Sequence, residues 1–127
     1  MTTTTTTPAT LSINVNVNVS EVFVATLGGR ISYWANELSL TPDLSNADIY
    51  DNNQVADITI SYYENDYDEN SLTTKTITPE QLCKAYLDLL LAGYTHCGNY
   101  PITASEYDSC VGDLIIQHAL FGEIKFG

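Results

Sequence analysis

From residue 31 to residue 74 the chain contains no lysine, arginine or histidine. The full 127 residues hold four Lys and Arg against sixteen Asp and Glu, a formal charge of -12. A field of that sign repels nucleic acid and anionic membrane and attracts cations or basic protein surfaces. Long apolar runs are also missing. The longest, Leu87 to Ala92, is interrupted by Asp88 and falls far short of the ~20 residues that cross a bilayer. The start, MTTTTTTPAT, has neither the basic nor the apolar region of a secretory signal, so no export is expected.

Cysteine is scarce: Cys83, Cys97 and Cys110 are an odd number without a Cys-x-x-Cys spacing, which argues against a disulfide framework. With His96 and His118 they supply metal-ligand types, but not the short paired spacings of a zinc site. Cys110 and His118 stand roughly 12 Å apart along a helix, too far for a thiolate-imidazole pair. NDYDEN places Asp66, Asp68 and Asn70 at the first, third and fifth positions of a calcium loop, but Ser71 and Ile77 stand where Gly and Glu are required. Gly28-Gly29-Arg30 lacks the spaced glycines and lysine of a phosphate loop. No nucleophile, base and orienting group fall at an interpretable spacing. The expectation is a non-enzymatic protein with no cofactor, no metal and no catalytic residues.

What is present is a foldable chain, with 44% hydrophobic and 10% aromatic residues, too apolar for a disordered acidic polymer. Residues 1–10 read as a disordered Thr-rich tail, and 11–127 as a single acidic domain. Leu11 to Val19 alternates apolar with Ser and Asn, the pattern of a half-buried strand. Ser20 then reads as the cap of a short helix over Glu21 to Leu27, stopped by Gly28-Gly29. Residues 31–54 read mostly as loop, with a second short helix or an exposed turn at ISYWANEL.

The alternation of Asp57, Thr59 and Ser61 with Ile58, Ile60 and Tyr62 predicts a strand, and Leu72 to Ile77 its hairpin partner. Thr78-Pro79-Glu80-Gln81 is a capping box that opens a helix ending at Gly93. A second helix, capped at Ser105 and carrying Tyr107, Cys110, Val111, Leu114, Ile115 and His118 on one stripe, stops near Gly122. FGEIKFG reads as a strand returning to the sheet. The fold class is therefore α+β: a small antiparallel sheet with two C-terminal helices packed on one face.

TLGGRISYW, with Gly28, Gly29, Tyr33 and Trp34, is followed about eighty residues later by DLIIQHALFGEIKFG, with Gln117, Ala119, Phe121, Gly122, Glu123 and Gly127. This pairing resembles a family of small bacteriophage-encoded proteins. The resemblance covers both ends and hardly touches the acidic middle. It implies a phage origin and action in the host cell cytoplasm, and no mechanism. Trp34 is expected in the core against Phe121.

The candidate partner-binding residues are the acids of the middle, Glu37, Asp43, Asp48, Asp51, Asp57, Glu64, Asp66, Asp68 and Glu69, with Tyr50, Tyr62, Tyr63 and Tyr67 among them as aromatic contacts. The partner they fit is a basic host protein surface, with no direct nucleic acid and no membrane; a homo-oligomer is left open. The leading reading is an inhibitor of a host defence or DNA-binding protein, anti-restriction or anti-CRISPR in kind, with DNA mimicry as one form of it. One alternative is a small-molecule module for a nucleotide signal, built from Arg30, Tyr33 and Trp34. The other is an acidic accessory protein without mimicry.

Overall fold

The hairpin expected from the Ile58/Ile60/Tyr62 alternation is the centre of the sheet in the computed structural model, which describes residues 16–65, 68–96, 100–102 and 109–127. Strand β2 (Asp57–Tyr63) buries every second residue, and β3 (Leu72–Ile77) pairs with it in antiparallel register, Ile58 opposite Ile77 and Tyr63 opposite Leu72. The Thr78 hydroxyl accepts from Gln81 N and the Gln81 side chain accepts from Thr78 N, so the capping box opens helix α2 (Pro79–Leu91) as read. Beyond it Gly93 takes φ +67°, the left-handed conformation that ends a helix cheaply only at glycine.

Other elements differ from the sequence reading. Asn18, not Ser20, caps the first helix, α1 (Val19–Leu27): its Oδ1 accepts from the backbone N–H groups of Ser20 and Glu21. The expected strand over 11–19 therefore fails at its far end, where Val19 is already helical; residues 11–15 lie outside the described residues. The segment read as loop contains a strand, β1 (Ala35–Thr41), paired antiparallel with β2 and bulged between Ala35 and Glu37. A single π-helical turn, Ala47–Asp51, follows. The sheet order is β1-β2-β3, and a minor two-stranded ladder pairs β4 (Thr95–His96) with β5 (Tyr100–Pro101).

Helix α3 (Ser109–Phe121) ends as read, with Gly122 at φ +71°. Its expected cap Ser105 and stripe residue Tyr107 lie outside the described residues. The buried stripe is Val111, Ile115, Ile116 and Gln117, whereas His118 is half-buried and faces Asp88 of α2 at 3.5 Å. FGEIKFG is not a strand: residues 122–127 run as irregular chain.

The class is α+β, with α2 and α3 packed on each other and α1 joining them. One core unites the sheet's Ile58, Ile60, Tyr62 and Ile77 with Val22, Phe23, Leu82, Tyr86, Leu89 and Ile115 from the helices. Gly28-Gly29 ends α1 without left-handed backbone, since Gly28 has φ -80°. The glycine of consequence lies opposite, on α3. A Cβ on Gly112 would sit 2.3 Å from the Ala25 carbonyl oxygen and 2.9 Å from Gly29 Cα, so α1 and α3 meet backbone to backbone.

Candidate interaction surface

The two terminal motifs converge on one joint. Tyr33 Oη donates to Asp113 Oδ2 at 2.5 Å and Trp34 Nε1 to Asp113 Oδ1 at 2.8 Å, so a single carboxylate of α3 receives both aromatic donors. One turn later Gln117, wholly buried, places Nε2 within reach of Tyr33 Oη, Asp113 Oδ1 and the Phe126 carbonyl. Its Oε1 accepts from the Lys125 and Phe126 backbone N–H groups at 2.9 and 2.7 Å. The amide thereby supplies the pairing that a neighbouring strand would have given, which is why 122–127 is anchored without joining the sheet.

Trp34, 8% exposed, stacks on Phe126 with 5.2 Å between ring centroids and meets Phe121 edge-on at 5.8 Å, so its core placement is as read. Both its ring and its N–H are engaged within the protein, which removes it as a stacking platform for a nucleotide. Tyr33 is 57% exposed, but its hydroxyl is committed to Asp113 and Gln117. Tyr33 and Trp34 line an open depression of about 420 Å³ with Tyr63 and Phe126, and Arg30 lines a neighbouring one of about 340 Å³. The two depressions adjoin through Ser32, Ala35 and Asn36.

Partial burial, with the hydrogen bond and charge of Asp113, pushes the Tyr33 phenol up to about 12 from 10.0. Burial, then the hydrogen bond and charge of Glu64, does the same to Tyr62. The folded state thus holds these protons more tightly than the unfolded chain. Their stabilising contribution is complete below pH 10 and is lost as pH rises through about 12. Thermal melts across that window should fall with pH, and the Tyr62→Phe variant should show a shallower fall.

The carboxylates sort by partner. Lys125 Nζ binds Glu64 Oε2 at 2.8 Å, and Tyr62 Oη donates to Glu64 Oε1 at 2.7 Å; the lysine bond and then the tyrosine bond hold the Glu64 carboxyl below its ordinary pKa. Asp48 accepts from Ser45 N, and Asp68 from Asn70 N at the head of a 3₁₀ turn, Glu69–Ser71. The carboxylates of Glu37, Asp43, Asp51, Asp57 and Glu69 make no hydrogen bond or ion pair among the described residues.

Their positions follow from the strand register. Asp43 follows the end of β1 and Asp57 opens β2 opposite Thr41, Asp51 lies in the connection between them on the turn that contacts α1, and Glu69 lies with Glu64 and Asp68 at the hairpin end. The two groups are about 20 Å apart along β2, with Glu37 on the sheet's outer face between them. On that face Ser39, Thr41, Thr74 and Thr76 are exposed and Thr59 is half-buried. Asp66 and Tyr67 lie outside the described residues.

Tyr62 must be withdrawn as a contact residue, because it alternates inward and is 0% exposed. Tyr63 is half-buried. Tyr50, beside Asp48 and Asp51, is 58% exposed, and Leu72 at the hairpin end is 47% exposed. Lys75 and Lys125 lie over the Phe121 ring at 5.4 and 5.2 Å and so add little positive charge to the outer face. Asp113 was missed from sequence, although its spacing of four from Gln117 inside the apolar run VGDLIIQ marked a polar pair on one helix face.

Among the described residues no three His, Cys, Asp or Glu side chains group to hold a metal ion, and no helix is long and apolar enough to cross a membrane. No family model, curated protein or solved structure matches this chain.

Proposed function

We propose that the protein acts by binding, its acidic sheet side docking on a basic surface of a partner protein. The observation that carries this reading is the set of five carboxylates that make no hydrogen bond or ion pair among the described residues, Glu37 and Asp57 on the sheet's outer face and Asp43, Asp51 and Glu69 in the connections at its ends. Tyr50 and Leu72 give each end an exposed apolar anchor beside the charges. The acidic surface suits a basic target, a host defence or DNA-binding protein that the small chain inhibits, and the resemblance to phage-encoded proteins adds only the place of action, the host cytoplasm. The assigned role is binding, with no reaction.

Two acidic groups about 20 Å apart favour a broad basic patch over imitation of a continuous phosphate row, which needs charges at a much finer pitch. DNA mimicry is the narrower form of the proposal. The nucleotide-signal module has less support, because the Trp34 ring and N–H are both engaged within the fold.

The test is capture of the partner from host lysate followed by titration in rising NaCl. Affinity should fall steeply with salt. Combined neutralisation of Glu37, Asp43, Asp51, Asp57 and Glu69 to their amides should weaken binding about a hundredfold and flatten the salt dependence. A partner held equally well at high salt and by the neutralised variant would overturn the proposal.

A further inference from the structure

Among the described residues strand β1 is hydrogen-bonded on one side only: it lies at the margin of the described sheet, and its main packing partner is β2. An unpaired edge presents a row of N–H and C=O groups on which another strand can form. The opposite margin, β3, carries Lys75 turned onto the Phe121 ring, and an inward-pointing charge is one of the devices that discourage strand addition. β1 has no such residue. From Asn36 to Thr41 it contains no lysine, arginine or proline, and its bulge is confined to the first residues.

Two features of this edge indicate what it accepts. On the inner face Leu38 and Leu40 are only half-buried although they sit opposite the wholly buried Ile60 and Ile58, so the core's apolar cover stops short on this side. On the outer face Glu37, Ser39 and Thr41 alternate with them, Asp57 stands opposite Thr41, and Asp43 follows two residues on. The adjoining depression of about 340 Å³ runs from Gly29 to Leu38, with Arg30 its one base at the far end.

We propose that the β1 edge takes up an extended segment of a basic partner as a fourth strand. Apolar side chains of that segment cover Leu38 and Leu40, and alternate Lys or Arg side chains lie on the face of Glu37 and Asp57. The charge of -12 makes a second copy of this chain a poor occupant and a basic segment a good one. The inference rests on the binding reading and adds the place and form of contact.

The probes are three capped octapeptides added to the full-length protein: alternating Lys-Val, alternating Glu-Val, and a blocked sequence of the same lysines and valines. The alternating basic peptide should slow amide exchange along β1 and shift the Leu38 and Leu40 methyl resonances, and the other two should do neither. Leu38→Lys, which gives β1 the inward charge that β3 has, should weaken that peptide about tenfold. Because that variant can also loosen the fold, Asp43→Lys, on an exposed loop, provides a second test and should weaken it severalfold.

Basic peptides that bind equally well in blocked order, with shifts at the two acidic ends and none on β1, would overturn the edge inference and leave the acidic-surface reading standing. Absence of binding by any peptide, or protection of β1 through self-association before peptide is added, would also overturn it. Failure of the acidic-surface reading itself is read separately, from a captured partner whose binding does not respond to salt.

Discussion

Gly112→Ala is expected to destabilise the protein by about 3 kcal/mol, the upper part of the range for overpacking, because the new methyl group would meet backbone and not a side chain that can swing away. The added Cβ would lie 2.3 Å from the Ala25 carbonyl oxygen, so α1 and α3 must separate, and the Gly29 contact goes with them. Helix propensity alone would make alanine the better residue by about 1 kcal/mol, so the sign of the measured change separates the two effects. Gly28→Ala provides the control. Its nearest neighbours stand at 3.6 and 3.7 Å and its φ is -80°, so that substitution should be close to neutral in chemical denaturation. Gly93→Ala, with open space around it but φ +67°, should fall between them at about 1 kcal/mol.

Gln117→Leu is expected to cost about 3 kcal/mol and to release the C-terminal segment. The substitution nearly conserves volume, so the loss reports hydrogen bonding more than a cavity. The Lys125 and Phe126 N–H groups lose their acceptor, the Phe126 carbonyl loses a donor, and Asp113 keeps Tyr33 and Trp34 but loses Nε2. Once the segment leaves, Phe126 no longer covers the Trp34 ring. Tryptophan emission should shift to longer wavelength before global unfolding, and the amides of residues 122–127 should exchange rapidly while those of β2 remain protected. Unchanged emission together with slow exchange at Phe126 would show that the segment is held by other contacts.

These two residues also show where sequence reading succeeds and where it stops. Local chemistry was legible wherever the device is local. The Thr78 capping box, the β2 alternation and the glycine stops at 93 and 122 each announce their own structure within a few residues. Trp34 against Phe121 was legible from size alone, because a lone large aromatic in a small domain is most cheaply placed inside.

The strand β1 was hidden because an edge strand with one half-buried and one polar face offers only Leu38 and Leu40 as apolar markers, amid loop-like Asn, Glu and Ser. The start of α1 was misplaced because Asn18 and Ser20 are both competent caps, and the choice between them depends on how the chain enters the helix. The C-terminal segment looked like a strand because Ile124 and Phe126 alternate, yet its pairing partner is a side chain of α3. The glycine at 112 carries no local signal of its role, which answers to backbone some eighty positions earlier in the chain. Among the candidate site residues, charge was legible and accessibility was not: Tyr62 alternates inward, and Glu64 is neutralised by Lys125 from the other end of the sequence.

The terminal motifs thus account for one another as a hydrogen-bonded joint of Tyr33, Trp34, Asp113, Gln117 and Phe126, and the acidic sheet side is left to face a partner. The most direct measurement is an amide-exchange footprint of the protein with and without its captured partner. Slowed exchange along β1, in the 43–57 connection and at the hairpin end around Glu69, with residues 122–127 unchanged, is the predicted result. Protection confined to 30–34 and 122–127, with the acidic segments untouched, would contradict it.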